Sequence, residues 1–324
     1  MHPVRTINHM SGVNDLKNEQ GGVALVLVIW ILVVLVAIVG EFSYSMRTEI
    51  NIVRNFKEEE EAYQLALSGI EQAKLELLSS VNNGVVYYNE DNILMIGQSD
   101  EVPVRRDTLG SGSFRYTITD EDSKLNINAA TVEQIKPLLL QSGVEITDAD
   151  TIADSIIDWR DPNDLHMLNG AEEEYYQSLD RPYSCKDGEI KSIDELLMVK
   201  GMSRDILYGS PPQETDEGTV EEKSYQGIDK FLTVYSAGNV NINTASPAVL
   251  ETLLGIEESN NIIAQRAEGP IMTARAGGKV TSRFFTIIST GEINDGAIKR
   301  SIKMTVVRQN NRLETLYWND NVIG

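Results

Sequence analysis

The chain is short of the residues on which most enzymes and disulfide scaffolds depend. It has one cysteine, Cys185, so no intrachain disulfide can form. It has three histidines, and two of them, His2 and His9, precede a long apolar run. A histidine-based acid–base or zinc site would rest on His166 alone. No glycine-rich phosphate loop, G-x-G-x-x-G or nucleophile elbow is present. Basic residues are also scarce: 28 Lys and Arg stand against 49 Asp and Glu, a net charge of −21. Such a surface repels phosphate backbones and anionic lipid, which argues against nucleic acid as a partner. The remaining composition, 41% apolar and 24% charged, is that of a globular chain long enough for two or three domains.

Residues 21–40 read GGVALVLVIWILVVLVAIVG, and no polar side chain occurs from Val23 to Val39. Seventeen helical residues span ~26 Å, the short end of a transmembrane helix. A secretory signal would have a small-x-small cleavage site after the run, whereas Gly40-Glu41-Phe42-Ser43 follows here. The small residues stand before it, at Gly21-Gly22. From Val23 to Ser80 there is no proline, and Ile50, Val53, Phe56, Tyr63, Leu67, Ile70 and Leu77 recur at helical spacing. One helix of ~85 Å is predicted, apolar all round at first and amphipathic later.

Further on, Gly84–Tyr88 and Asn92–Ile96 read as short extended pieces, and Ser113–Thr119 alternates as a half-buried strand. Arg283–Thr290, Ile298–Arg308 and Leu313–Trp318 read as strands, with Asn294-Asp295-Gly296 as a turn. These pieces are expected to form one antiparallel sheet on the second half of the helix. Strands at both ends with helices between them imply an insertion. The middle holds a repeat: Leu125-Asn-Ile-Asn-Ala-Ala-Thr131 returns as Val240-Asn-Ile-Asn-Thr-Ala-Ser246, each followed by an amphipathic helical pattern with Thr131 or Ser246 as N-cap. A third unit, Ser192 to Met202, reads as helix–turn–helix. Ser210–Gly227 is rich in Pro, Glu, Asp and Gly, and reads as an acidic loop.

Asp158, Asp161, Asn163 and Asp164 lie within seven residues, with Glu172, Glu173 and Glu174 soon after. Oxygen ligands at this density suit Ca²⁺, which takes ~6–8 of them; a solvated acidic loop is the alternative. The glycine and terminal glutamate of an EF-hand are missing. His166 reads as a surface residue and Cys185 as an unpaired thiol. Trp30 is expected to face lipid or a partner helix, and Trp159 and Trp318 to anchor packing.

A short polar leader ending at glycine before the apolar run resembles a type IV prepilin leader. Cleavage after Gly22, or after Gly21, would make Val23 or Gly22 the first mature residue. The fifth would be Leu27 or Val26, where most pilins and pseudopilins carry Glu. That departure resembles the minor pseudopilin K family of type II secretion systems. So do Asp158-Trp-Arg-Asp-Pro-Asn-Asp164, Asn169-Gly-Ala-Glu172, Tyr175-Tyr176, Arg181-Pro-Tyr183, Val199-Lys-Gly-Met202, Phe231-Leu-Thr-Val-Tyr235 and Tyr317-Trp318. The second helical module is shorter, and the acidic loop longer, than the family leads one to expect.

The resemblance implies an α+β fold: a pilin-like long N-terminal helix, a small antiparallel sheet, and a large inserted α-helical domain containing helix-hairpin-helix (SAM-like) modules. It divides the chain into a leader (1–22), a transmembrane helix (23–40), and the pilin-like helix with its first strands (41–122). The first helical module (123–209), the acidic loop (210–227), a short second module (228–280) and the C-terminal strands (281–324) follow. It implies a non-enzymatic tip subunit of the pseudopilus that initiates assembly for protein export across the outer membrane. The chain would sit in the inner membrane with its bulk in the periplasm. A prepilin peptidase would cut between Gly22 and Val23, and the new amine would be methylated. Leu27, Val28 and Leu32 would pack against the helices of minor pseudopilins I and J and other pseudopilins. Calcium would bind through part of Asp158, Asp161, Asn163, Asp164, Glu172 and Glu173. Exported proteins are further candidate partners. The alternative is a membrane-tethered DNA receptor with helix-hairpin-helix modules, for which Lys200-Gly201 is the basic hint. A third reading, an acidic periplasmic hydrolase, rests on the carboxylate cluster alone.

Overall fold

The computed structural model describes residues 15–79, 84–97, 101–211, 213–214, 220–221, 224–275 and 277–322, with side chains from Gly22 onward except at 213–214 and 220–221. Most of the expected leader and part of the acidic loop lie outside these residues. The chain divides into two compact units, Met1–Glu61 and Ala62–Gly324.

The described residues of the first unit form one continuous helix, part of α1 (Asp15–Ser79). The absence of proline and the long aliphatic run favour it. Every described side chain from Val23 to Phe56 is exposed. The Val23–Val39 stretch is long and apolar enough to cross a membrane.

The second unit begins with the rest of α1. Ala62, Leu65, Ala66, Ile70, Ala73 and Leu77 form its buried stripe. They pack on a five-stranded sheet, order β11-β10-β9-β4-β3. Its strands are β3 (Arg106–Leu109), β4 (Gly112–Asp120), β9 (Phe284–Ile293), β10 (Ile298–Gln309) and β11 (Arg312–Val322). All neighbours are antiparallel. The helix comes so close that a Cβ on Gly291 would overlap the Ala62 carbonyl. Asn310 and Asn311, both with positive φ (46° and 64°), close the β10–β11 hairpin in the geometry a two-residue turn requires.

One expectation is corrected here. β1 (Val86–Tyr88) and β2 (Leu94–Ile96) do not join the main sheet; they pair with each other as a separate ribbon. Val86 N donates to Val280 O, so the ribbon is tied to the inserted region.

The regular structure between β4 and β9 is mainly helical. A short 3-10 turn (Glu121–Ser123) leads into β5 (Leu125–Asn126), α2 (Val132–Gln141) and α3 (Ile146–Arg160). Next come α4 (Glu173–Gln177), a 3-10 helix (Ile193–Met198) and α5 (Arg204–Tyr208). The unit expected from Ser192 to Met202 is a 3-10 helix followed by a turn at Gly201, and its second helix, α5, starts just beyond at Arg204. The two-residue strands β6 (Gln213–Glu214) and β7 (Val220–Glu221) pair antiparallel. β8 (Leu232–Thr233) pairs in parallel with β5, and α6 (Pro247–Leu254) and α7 (Ile256–Glu268) end the insertion. Thr131 and Ser246 cap their helices as the repeat predicts, Thr131 within a capping box and Ser246 by accepting from Val249 N.

The repeat is structural as well as sequential. Asn126 Oδ1 accepts from Asn128 N, as Asn241 Oδ1 does from Asn243 N. Asn128 then clasps Ile190 through both its amide and carbonyl, and Asn243 clasps Ile271 in the same way. Arg160, at the end of α3, donates to the carbonyls of Ile127 and Ala130. Arg266, near the end of α7, donates to those of Ile242 (3.2 Å) and Ala245 (2.7 Å), the corresponding residues of the second copy. Thirty positions separate Arg160 from Ile190 and five separate Arg266 from Ile271. The first copy thus carries an extra excursion between its arginine and its clasped isoleucine.

Three buried acids join sheet and insertion. Asp120 Oδ2 accepts from Asn241 Nδ2 (3.0 Å), Thr244 Oγ1 (2.6 Å) and Ser282 Oγ (2.6 Å). Glu121 accepts from Thr233 and Thr286, and Asp122 pairs with Lys279 at 2.7 Å.

Candidate functional site

The acidic cluster occupies the excursion of the first copy. Asp158 is on the last turn of α3, and Asp161 is its C-cap. Pro162 cannot continue a helix, so the chain leaves as a loop and returns at Glu172, the N-cap of α4. The loop is held closely. Asp158 accepts from Met167 N, and Asp154 Oδ2 accepts from the backbone and side-chain nitrogens of Asn169, each at 3.0 Å. A Cβ on Gly170 would overlap Asp158 Oδ2, so any larger residue there would push that carboxylate aside. Lys200 Nζ donates to Asn169 O (3.3 Å) and Gly170 O (2.9 Å) and lies over the Tyr175 ring. The one basic residue to which the DNA reading appealed is thus engaged by the loop. Beneath, Trp159 packs edge-on against Tyr176 and Tyr183, and its indole N–H donates to Glu195 at 3.0 Å.

This loop brings Asp158, Asp161 and Glu172 together: one carboxylate oxygen of each lies within 4.8 Å of the others. Asp158 and Glu172 are buried. Glu172 Oε1 has no hydrogen-bond partner. Burial pushes the Glu172 carboxyl up to about 7, with the charges of Asp158, Asp161 and Asp187 in the same direction and a hydrogen bond from Cys185 opposing. Asp158 is also raised, chiefly by burial. The other expected ligands are placed differently. Asn163 is exposed and donates to Asp161 Oδ1. Asp164 is exposed, and Glu173 turns away to accept from Cys185 N (2.7 Å) and Gln177 (2.8 Å). One orphaned, buried oxygen crowded by two further carboxylates of the same sign fits a hard divalent cation.

Two residues that sequence reasoning left aside join this place. The Cys185 thiol and the Asp187 carboxylate form a second convergent group with Glu172, again within 4.8 Å. Cys185 is buried and unpaired, and burial pushes its thiol up to about 12. Its sequence neighbourhood held no motif; only the fold carries it to Glu172. The segment expected to be cut, Gly22 and Val23, lies on α1, and Leu27, Val28 and Leu32 are each more than half exposed.

Comparison with known proteins places these features. The family described as "Type II secretion system (T2SS), protein K" matches residues 115–209, from β4 through the acidic loop to α5. The chain is 25% identical over 279 residues to type II secretion system protein K of Aeromonas hydrophila, covering 77% of each. It is 26% identical over 211 residues to the protein K of Pectobacterium carotovorum subsp. carotovorum, covering 59% of this chain and 61% of that one. A putative protein K of Escherichia coli K12 is 23% identical over 205 residues, covering 59% and 61%. Its fold matches a chain in the crystal structure of the GspK-GspI-GspJ complex from the type 2 secretion system of enterotoxigenic Escherichia coli. That match has TM-score 0.61 and 19% identity and covers 84% of this chain and 99% of that one. Sequence pattern, named relatives and fold agree: residues 115–209 match the protein K model, and the chain is similar to type II secretion system protein K over most of its length.

Proposed function

We propose that this chain is a minor pseudopilin that caps the tip of the type II secretion pseudopilus and starts its assembly. The observation that carries this is the uninterrupted apolar helix Val23–Val39, with Leu27 where an incoming neighbour would need an acid. A buried carboxylate in a helix bundle at lipid depth is costly unless paired with an amine. A subunit without that carboxylate offers nothing to the amine of the next one, so it suits a first subunit. Packing of the apolar helix against the helices of pseudopilins I and J would supply the association energy. The solved relative was crystallised as a complex with GspI and GspJ, which supports that choice of partners. A prepilin peptidase would cut after Gly22, or after Gly21, and the new amine would be methylated. Anchoring would be single-pass in the inner membrane, with the C-terminal bulk in the periplasm. The two Asn-x-Asn helical pairs would serve, as helix-hairpin-helix-like modules, to contact proteins rather than DNA.

Calcium belongs to the same reading. Asp158, Asp161 and Glu172 would hold it, with Asn163, Asp164 or Glu173 completing the shell through small movements or water. The ion would neutralise the loop and lock the excursion onto α3.

The test is the position of the chain in assembled fibres and the state of its N-terminus. Immunogold labelling is expected at one end per fibre, and a mature protein starting at Val23 or Gly22. Labels repeated along the shaft, or an N-terminus beyond Gly40, would overturn the proposal.

A further inference from the structure

We infer, on the strength of the tip reading, that half of the sheet's outer face is a docking surface for an acidic face of a neighbouring pseudopilin. The half in question is the one nearest Ala62, and the contact is made by the folded part of the chain rather than by its apolar helix.

In β4 the side chains of Phe114, Tyr116 and Ile118 enter the core with α1, so Arg115 and Thr117 stand on the opposite, outer face. The register carries that face across the sheet. Arg106 of β3 lies directly opposite Arg115, Thr117 is in line with Ile288 and Lys303, and Ser113 is in line with Glu292 and Lys299. At the far end the outer face is covered by the inserted region: Thr286 donates to Glu121 at 2.8 Å, and Thr305, bonded to Thr286, is fully buried. The near end is open, with Arg106, Arg115, Thr117 and Lys299 exposed. It is the end at which α1 enters, because a Cβ on Gly291 would meet the Ala62 carbonyl, whereas Arg308 at the far end reaches Leu77 O.

Charge singles this half out. The chain has 28 basic against 49 acidic residues, yet here Arg106, Arg115, Lys299 and Lys303 share one carboxylate, Glu292. Glu292 pairs with Arg115 and, at 3.4 Å, with Lys299. Among the described residues, Arg106 and Lys303 pair with no carboxylate. Asp107 is in register with Phe114 on the other face, and its Oδ1 accepts from Thr108 N at 2.8 Å. Like charges directly opposite on adjacent strands weaken a sheet, and Arg106 against Arg115 is such a pair. Cations kept at that cost, on a face the insertion leaves bare, are complementary to carboxylates from outside the chain. Geometry selects their source. A subunit at the tip has its neighbours on the side from which α1 enters, and this half of the sheet is on that side. Contact there adds a salt-sensitive, orienting interaction to the packing of apolar helices, which salt does not screen.

The full-length chain and the I and J pseudopilins of the same secretion system, purified in detergent, are mixed, and the dissociation constant is followed from about 0.05 to about 0.5 M salt. Arg106→Glu combined with Lys303→Glu should raise it about tenfold at low salt, with the difference shrinking at high salt. Neither side chain has an ion-pair partner among the described residues, so the fold should be kept, and circular dichroism checks that. Arg181→Glu, at an exposed position of the inserted region, should leave the constant unchanged. Equal binding by the double variant and the wild type, or wild-type binding indifferent to salt, would overturn the inference and leave the tip reading standing. Absence of any complex between the wild-type chain and I and J would sink both. Sedimentation of the chain alone decides the rival occupant: self-association that the double variant loses, with binding to I and J unchanged, assigns the face to a second copy and overturns the inference.

Discussion

Replacing Asp120 by asparagine should flatten the dependence of stability on pH. Asp120 is fully buried where the sheet meets the second helical pair, and it accepts from Asn241, Thr244, Ser282 and the Asp122 amide. Burial outweighs these donors, Asp122 adds repulsion, and the carboxyl is pushed up from 3.8 to about 6. An acid with a higher pKa in the folded than in the unfolded chain binds its proton more tightly when folded. Its contribution is therefore fully present below about 4 and is lost as pH rises through about 6. At ~1.4 kcal/mol per pH unit, the window of roughly two units amounts to about 3 kcal/mol. In the asparagine variant the amide stays neutral throughout, and the Thr244 and Ser282 hydroxyls can rotate to accept from it. Glu172 and Asp158 are raised in the same sense, but they are present in both proteins and cancel in the comparison. The assay is urea unfolding of both full-length proteins in detergent, with chelator, followed by circular dichroism from pH 4 to 8. The wild type should lose about 3 kcal/mol more than Asp120→Asn across that range. Parallel curves, or a wild type that gains stability relative to the variant as pH rises, would refute the reasoning.

Three further outcomes are expected. Arg266→Met strands the Ile242 and Ala245 carbonyls; losing two charge-assisted bonds of ~1.5 kcal/mol each should destabilise the second pair by about 3 kcal/mol, measured by chemical unfolding. Gly170→Ala forces Asp158 aside and should cost about 1–3 kcal/mol in thermal unfolding and weaken Ca²⁺ binding, measured by calorimetry. Because the Glu172 carboxyl sits at about 7 and must ionise to ligate, Ca²⁺ affinity should rise between pH 6 and 8 and level off above, with protons released on binding; a flat titration series would contradict this.

The sequence showed those parts whose physics is local. Ser113–Thr119 and the C-terminal strands alternate because one face meets α1, and they appear as β4, β9, β10 and β11. Thr131 and Ser246 cap helices because capping is a matter of three or four residues. β3 was not legible: Arg106–Leu109 is exposed throughout, so nothing selects an alternating pattern. The β1–β2 ribbon looked like part of the main sheet, because its extended character is local while its partner is set by tertiary contact. The repeat disclosed its asparagines but not the guanidiniums that seal each copy, since Arg160 and Arg266 stand at different distances from them. The same limit held at the acidic cluster. Its aspartates are neighbours in sequence, whereas Cys185 lies thirteen positions from Glu172 and meets it through the fold, where its N–H donates to Glu173 of α4.

The paired asparagine–arginine clasps have one more consequence. The same lock closes over five residues in one copy and thirty in the other, so the framework is indifferent to what is threaded between arginine and isoleucine. The short connection Gly269–Pro270, between the end of α7 and the clasped Ile271, is therefore a splice point, where an epitope or a reporter peptide could be grafted and carried outward without disturbing α7 or the Asn243 clasp.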